Sequence, residues 1–161
     1  AGKAAEPALY KALKSTDDAA FRSRLSTGLT YTTPNNISLT AEYEYNGGGQ
    51  DRAGWDALRR GPPAAYGQYR GFVTNLQDPP TRHNVFLYAL WQDALVKHLD
   101  LTAMIRYDAV DHSRLQWLEA RYHWSRVDIA VQTQLNTGQA SSNFGAAPDR
   151  RIWQALLRYF F

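Results

Sequence analysis

The fold is decided by a stretch of the sequence that reads Ile37-Ser38-Leu39-Thr40-Ala41-Glu42-Tyr43-Glu44-Tyr45-Asn46. Apolar and polar side chains alternate along it without interruption, and both glutamates fall on the polar side. An amphipathic helix would repeat its apolar residues at a period of about 3.6, whereas a period of two is that of a β-strand with one apolar face. The stretch is therefore predicted to be a strand, and the turn signal at residues 33–36 separates it from the strand before.

The same alternation recurs along most of the chain and predicts six further strands. They cover approximately residues 21–33, 84–93, 99–110, 117–124, 127–136 and 152–161. Residues 84–93 are apolar on both faces, so the sequence leaves open which of their side chains share a face with the other apolar residues. The predicted fold class is all-β, with about seven antiparallel strands of roughly ten residues each.

A long insertion, residues 47–82, interrupts the alternation. It opens with three glycines and contains two proline pairs, and apolar residues recur at helical spacing between those pairs. We predict a long extracellular loop that carries one or two short helices, with an eighth strand inside residues 66–76 as the alternative. The aromatic side chains of the insertion would form the core of those helices, a plug contact at the mouth of the barrel or an external binding surface; they are Trp55, Tyr66, Tyr69 and Phe72.

Composition excludes several classes of protein. The chain has 161 residues, which suits a single domain, and it has no cysteine, which excludes disulfides, thiolate metal sites and a cysteine nucleophile. The longest apolar run, 85–91, has seven residues, far fewer than the roughly 20 of a membrane-spanning helix. The net charge of +3 is too small to predict a nucleic-acid partner.

Alternation alone fits two architectures. A soluble sandwich or lipocalin-like barrel places its apolar face inside, whereas a transmembrane barrel turns that face to lipid and fills its interior with polar side chains. The predicted polar faces carry arginines and acids in rows and almost no lysine, which favours a confined, wet interior. The residues predicted to line that interior are Arg24, Glu42, Glu44, Arg106, Asp108, Glu119, Arg121 and Arg158.

Two further features favour the membrane barrel. Aromatic residues lie near the ends of the predicted strands on the apolar face, where barrels carry two aromatic girdles. A tilted strand needs about 9–11 residues to cross a bilayer, and the predicted strands have that length.

The last ten residues carry a family resemblance. The apolar face of this strand ends in Trp153, Leu157, Tyr159 and Phe161. This pattern resembles the C-terminal strand of bacterial outer-membrane β-barrel proteins, which typically ends in Phe with an aromatic residue two positions earlier. The resemblance implies a place in the Gram-negative outer membrane, contact with its lipid and lipopolysaccharide, and recognition of this strand by the barrel-assembly machinery.

The predicted number of strands determines whether this sheet can close into a barrel by itself. With short turns at the periplasmic end and long loops outside, the first and last of seven strands run in the same direction, and antiparallel barrels have an even number. We therefore expect residues 21–161 to be the C-terminal portion of a larger barrel, completed by the N-terminal portion of the same barrel or by a second chain. Residues 1–20 are predicted to be an extracellular loop or helical segment.

No catalytic site, metal site or cofactor is predicted. Asp111, His112 and Ser113 have the residue types of a hydrolase triad, but consecutive residues cannot converge as nucleophile, base and orienter. Glu42 and Glu44 are expected to pair with Arg22 or Arg24 on the neighbouring strand. The predicted function is porin-like passive or facilitated transport. The alternatives are a structural barrel that sheathes or anchors a partner protein, a lipid-modifying enzyme, and a soluble carrier of apolar ligands.

Overall fold

The structure, a computed structural model, describes residues 23–161; the predicted segment 1–20 lies outside them. These residues form one antiparallel sheet of seven strands and two short helices, so the predicted all-β class and strand number are confirmed. The strands are β1 (Arg24–Thr32), β2 (Ile37–Asn46), β3 (His83–Trp91), β4 (Leu99–Asp108), β5 (Arg114–His123), β6 (Val127–Thr137) and β7 (Arg151–Tyr159).

The strands lie in the sheet in the order in which they occur in the chain. The sheet is not closed into a barrel: β1 and β7 are its two edges among the described residues. Register is continuous across the last four strands, so that Ala103 pairs with Leu118, Leu118 with Thr133 and Thr133 with Trp153. Side chains of paired residues point to the same side of a sheet, and this series therefore defines one face, the apolar face.

Tight turns follow from the residues predicted to form them. Between β1 and β2, Thr33 N donates to Ile37 O at 2.8 Å, and Asn36 adopts a φ of 58°. Asparagine is one of the few residues that tolerates this left-handed conformation. Between β5 and β6, Trp124 N donates to Val127 O at 2.7 Å and closes the turn predicted at Ser125 and Arg126.

The insertion contains two helices, α1 (Arg52–Arg60) and α2 (Pro63–Asn75). Asp51 caps α1 by accepting a hydrogen bond from Gly54 N at 2.9 Å, and Pro63 occupies the first turn of α2, where its missing N–H costs nothing. The predicted short helices are confirmed. The alternative of an eighth strand within residues 66–76 is wrong, because residues 66–75 belong to α2 and Leu76 caps its C-terminal end.

The two helices share a small core. Trp55, Leu58, Tyr69 and Val73 are buried together with Val110, and Tyr66 and Phe72 pack against them. The Tyr69 hydroxyl donates to Pro80 O at 2.6 Å, and Trp55 Nε1 donates to Asp111 Oδ2 at 3.0 Å. The aromatic residues of the insertion therefore form its core, which was the first of the predicted roles.

The chain divides into two compact units. One, the helical unit, contains residues 44–84 and 108–111 and the start of β1; the other, the sheet unit, contains residues 27–43, 85–107 and 112–161. Within the helical unit, the ends of the insertion meet, because Gln50 N donates to Pro80 O and Arg82 N donates to Gln50 O, both at 3.0 Å.

Candidate functional site

In β5 and β6 the polar side of the sheet is the better buried side. In β5, Leu118 is 54% exposed, whereas the side chain of the next residue, Glu119, is 9% exposed. In β6, Val131 is 49% exposed while Ala130 is 1% exposed, and Asp128 and Asn136 are also buried. In a sheet that packs its apolar face on a core, the apolar side chains are the buried ones. The candidate functional site is therefore this inverted polar face within the sheet unit.

A carboxylate with several donors lies near the middle of the polar face. Arg121 Nε and Nη2 lie 2.9 and 3.0 Å from the two oxygens of Glu119, and Gln132 Nε2 on β6 also donates to Glu119. Such a bidentate pair is the strongest form of the arginine–carboxylate interaction. Two of the predicted lining residues, Glu119 and Arg121, are thus brought together.

A second polar cluster lies at the end of the face where β5 turns into β6. His123 Nδ1 lies 3.0 Å from Asp128 Oδ1, and His123 Nε2 lies 3.1 Å from Asp100 Oδ2. An ionised carboxylate only accepts hydrogen bonds, so both ring nitrogens donate when both aspartates are ionised, and His123 is then an imidazolium. Asp100 Oδ1 also accepts from Asp93 N at 3.1 Å, which ties the β3–β4 turn to the cluster. This cluster was not predicted from the sequence, although residues 123 and 128 flank the predicted tight turn symmetrically.

Four of the predicted lining residues carry charges that no other described residue compensates. Glu42 and Arg106 are exposed, Glu44 is half-buried and Arg158 is exposed; within residues 23–161 none of them forms an ion pair or a side-chain hydrogen bond. Glu42 packs over Gly28, where a Cβ atom would lie 2.7 Å from Glu42 Cγ. Of these, Glu42, Arg106 and Arg158 belong to the sheet unit and present their charges on its polar face.

The predicted pairing of Arg24 with Glu42 or Glu44 is wrong. Arg24 Nη2 instead binds Asp78 Oδ2 at 2.6 Å, within the helical unit. Arg22, the other predicted partner, lies outside the described residues. The cause is the insertion, which places an acid from its far end beside the start of β1.

Asp108, another of the predicted lining residues, lies in the helical unit. It is fully buried, and its carboxylate accepts hydrogen bonds from Thr81 Oγ1 at 2.7 Å, Val110 N at 3.0 Å and Asp111 N at 3.2 Å. These contacts make it a structural group that holds the chain as it leaves β4.

In the same unit, partial burial raises the pKa of the Tyr66 phenol, and the neighbouring Arg70 guanidinium opposes this rise.

The residues of the Asp-His-Ser sequence bind different groups. Asp111 accepts from Trp55 Nε1, the His112 ring contacts the Tyr107 hydroxyl at 2.7 Å, and the buried Ser113 Oγ accepts from Phe144 N at 3.1 Å.

Within residues 23–161, no group of three or more histidine, aspartate or glutamate side chains has a geometry that could hold a metal ion. Neither helix of this part of the chain combines the length and apolar character required to cross a membrane.

Comparison with protein-family models, curated proteins and solved structures finds no match for the chain. The resemblance of residues 152–161 to a barrel C-terminal strand therefore stays a prediction.

Proposed function

We propose that this chain supplies seven strands of a larger bacterial outer-membrane β-barrel that passes solutes along its polar face. The observation that carries the proposal is the reversed exposure of β5 and β6, where Leu118, Ile129 and Val131 are exposed while the charged residues Glu119 and Asp128 are largely buried. Lipid would cover the first set, and water in a lumen would solvate the second.

The dimensions of the apolar face support this proposal. In β6 the apolar side is continuous and consists of Val127, Ile129, Val131, Thr133 and Leu135. Eight steps of about 3.4 Å make roughly 27 Å along the strand, and a tilt of about 40° reduces this to roughly 21 Å. That height is close to the apolar band of about 25 Å found on membrane barrels.

The open edges support the larger barrel. Bare backbone groups in hydrocarbon cost several kcal/mol each, so β1 and β7 both require partners there. Adjacent strands alternate in direction, which makes β1 and β7 run the same way. An odd number of further strands, from another part of the polypeptide or from a second chain, closes such a sheet without a parallel seam.

The same proposal assigns partners to the outer surface. Lipid and lipopolysaccharide cover the exposed apolar residues, and the barrel-assembly machinery recognises β7 and the residues after it. Trp153, Leu157, Tyr159 and Phe161 are all exposed and would be accessible to that machinery.

Single thiols test the orientation of the sheet. The chain has no cysteine, so Val131→Cys reports the apolar face and Gln134→Cys reports the polar face three residues later. In outer-membrane vesicles, we expect a membrane-impermeant maleimide to label Gln134→Cys and not Val131→Cys, while a lipophilic maleimide labels Val131→Cys. Equal labelling of both thiols by the impermeant reagent would overturn the membrane assignment.

Conductance tests the passage. The purified protein, with whatever chain completes its barrel, should form ion-conducting channels in a planar lipid bilayer. Insertion without conductance would replace the passage with a barrel that sheathes a partner protein.

A further inference from the structure

The polar face of the sheet unit contains an apolar patch beside an uncompensated arginine. In β5, Trp117 lies on the same face as Glu119 and Arg121, because strand side chains alternate. The register between β4 and β5 places Met104 opposite Trp117 and Arg106 opposite Leu115. Arg106 therefore lies one step along β4 from a thioether–indole pair.

β3 adds two aromatic rings to this patch. Ala109 N donates to His83 O at 2.9 Å, and counting along the antiparallel strands from that bond places Phe86 opposite Arg106 and Tyr88 opposite Met104. The same count places Trp91 opposite Leu101, and both residues line one cavity of about 560 Å³. The rings of Phe86 and Tyr88 are nearly parallel, with centroids 6.4 Å apart and an interplanar angle of 12°.

The two arginines near the patch differ in whether an acidic residue pairs with them. Arg121 is neutralised by Glu119, whereas Arg106 is exposed and forms no ion pair within the described residues. Gln92 N donates to Asn36 O at 3.1 Å, and the same counting places Glu42 opposite Phe86. Glu42 and Arg106 are then two strand spacings apart, about 10 Å, on either side of the Phe86 ring.

We infer that Phe86, Tyr88, Met104, Trp117 and Arg106 form a binding site for planar aromatic monocarboxylates. The ligand carboxylate accepts hydrogen bonds from the Arg106 guanidinium, and the ligand ring contacts the aromatic side chains. Glu42 repels a second negative charge at the far side of the ring and so favours monoanions over dianions. The inference rests on the proposed function, since a solute reaches this face by entering the lumen.

Isothermal titration of the detergent-purified protein with three probes tests the site. Benzoate has a ring and a carboxylate, acetate has only the carboxylate, and benzyl alcohol has only the ring. We expect benzoate to bind at least about tenfold more tightly than either of the others, because only benzoate uses both parts of the site. Benzoate that binds no better than acetate would overturn the inference.

Two variants and a control locate the binding. Arg106→Gln should weaken benzoate binding by about tenfold or more and leave benzyl alcohol binding unchanged, while Trp117→Leu should weaken both. Arg158→Gln removes another uncompensated arginine of the same face and should leave benzoate binding unchanged. If Arg106→Gln does not fold, Arg106→Lys, which keeps the charge and loses the planar fork, should still weaken benzoate severalfold. If Arg158→Gln and Arg106→Gln weaken benzoate binding equally, the positive charges of this face attract anions in general and the proposed site is contradicted.

Measurements of benzoate binding and of conductance distinguish a failure of the proposed binding site from a failure of the proposed passage. Channels that conduct but neither bind benzoate nor lose current in its presence would remove the site and keep the passage. Benzoate binding that depends on Arg106 in a protein without conductance would keep the site and remove the passage.

Discussion

Arg121 holds both carboxylate oxygens of Glu119, the residue two positions before it in β5, at 2.9 and 3.0 Å. The two side chains are neighbours on the same face of one strand, so the pair does not depend on the closure of the sheet. Gln132 extends the contact to β6. The group therefore joins two strands through side chains, in addition to their backbone hydrogen bonds.

We predict that Arg121→Gln lowers the free energy of unfolding by about 2 kcal/mol, because it removes charge-assisted hydrogen bonds from a mostly buried carboxylate. The double variant with Glu119→Gln should cost less than the sum of the two single changes. Urea unfolding in lipid vesicles measures these differences, with Arg106→Gln as the control that removes an unpaired arginine. Strictly additive costs would mean that the pair carries no coupling energy.

Two glycines should respond to alanine in opposite directions. A Cβ atom at Gly28 would lie 2.7 Å from Glu42 Cγ and 2.8 Å from the backbone oxygen of Ala41, whereas a Cβ at Gly71 in α2 would meet nothing within 4 Å. Gly28→Ala should destabilise the protein by about 1–3 kcal/mol through overpacking. Gly71→Ala should stabilise it by about 0.5–1 kcal/mol, because alanine is the better helix former. Thermal unfolding distinguishes the two, and a stabilising Gly28→Ala would contradict the close contact between β1 and β2.

Trp55→Ala should unfold the helical unit and leave the sheet unit intact. The side chain is 1% exposed, and the loss of a buried aromatic residue costs about 3–5 kcal/mol, a large fraction of the stability that so small a core supplies. Amide hydrogen exchange should become fast in α1 and α2 and stay slow in β5 and β6. Leu76→Ala, at an exposed position just after α2, is the control and should change amide exchange neither in the helices nor in the strands. Simultaneous loss of protection in β5 and β6 would show that the two units unfold together.

The unpaired acids of β2 should set ion preference. Replacing Glu42 and Glu44 with glutamine removes two negative charges that have no partner among the described residues, so the ratio of cation to anion permeability should fall. Reversal potentials under a salt gradient in planar bilayers measure this ratio. Asp56→Asn, on α1, is the control and should have little effect. Unchanged reversal potentials in the Glu42/Glu44 variant would remove these residues from the pathway.

The strands and the helices were predictable from the sequence because both depend on local periodicity. Residues 99–110 alternate, and β4 covers Leu99–Asp108; the helical spacing that starts at Tyr66 lies within α2. Asp108 continues the alternation as a lining residue would, but its burial is decided by Thr81, which is distant in the chain. Arg24 likewise binds an acid 54 positions away rather than one on the next strand. The faces of β3 required cross-strand register, since its residues are apolar on both sides.

The coincidence of strand order and chain order has a consequence for how the sheet forms. Each strand finds its partner immediately before it in the chain, so the sheet can grow one hairpin at a time, with each completed strand as the template for the next. The insertion between β2 and β3 does not break this order, because its ends meet at Gln50 and it has its own core. Local folding of the insertion therefore brings its two ends together. The entropic cost of closing a longer loop rises by only about 0.6 kcal/mol for each doubling of its length. Insertions of this kind can therefore lengthen or shorten during evolution with little effect on the order in which the strands assemble.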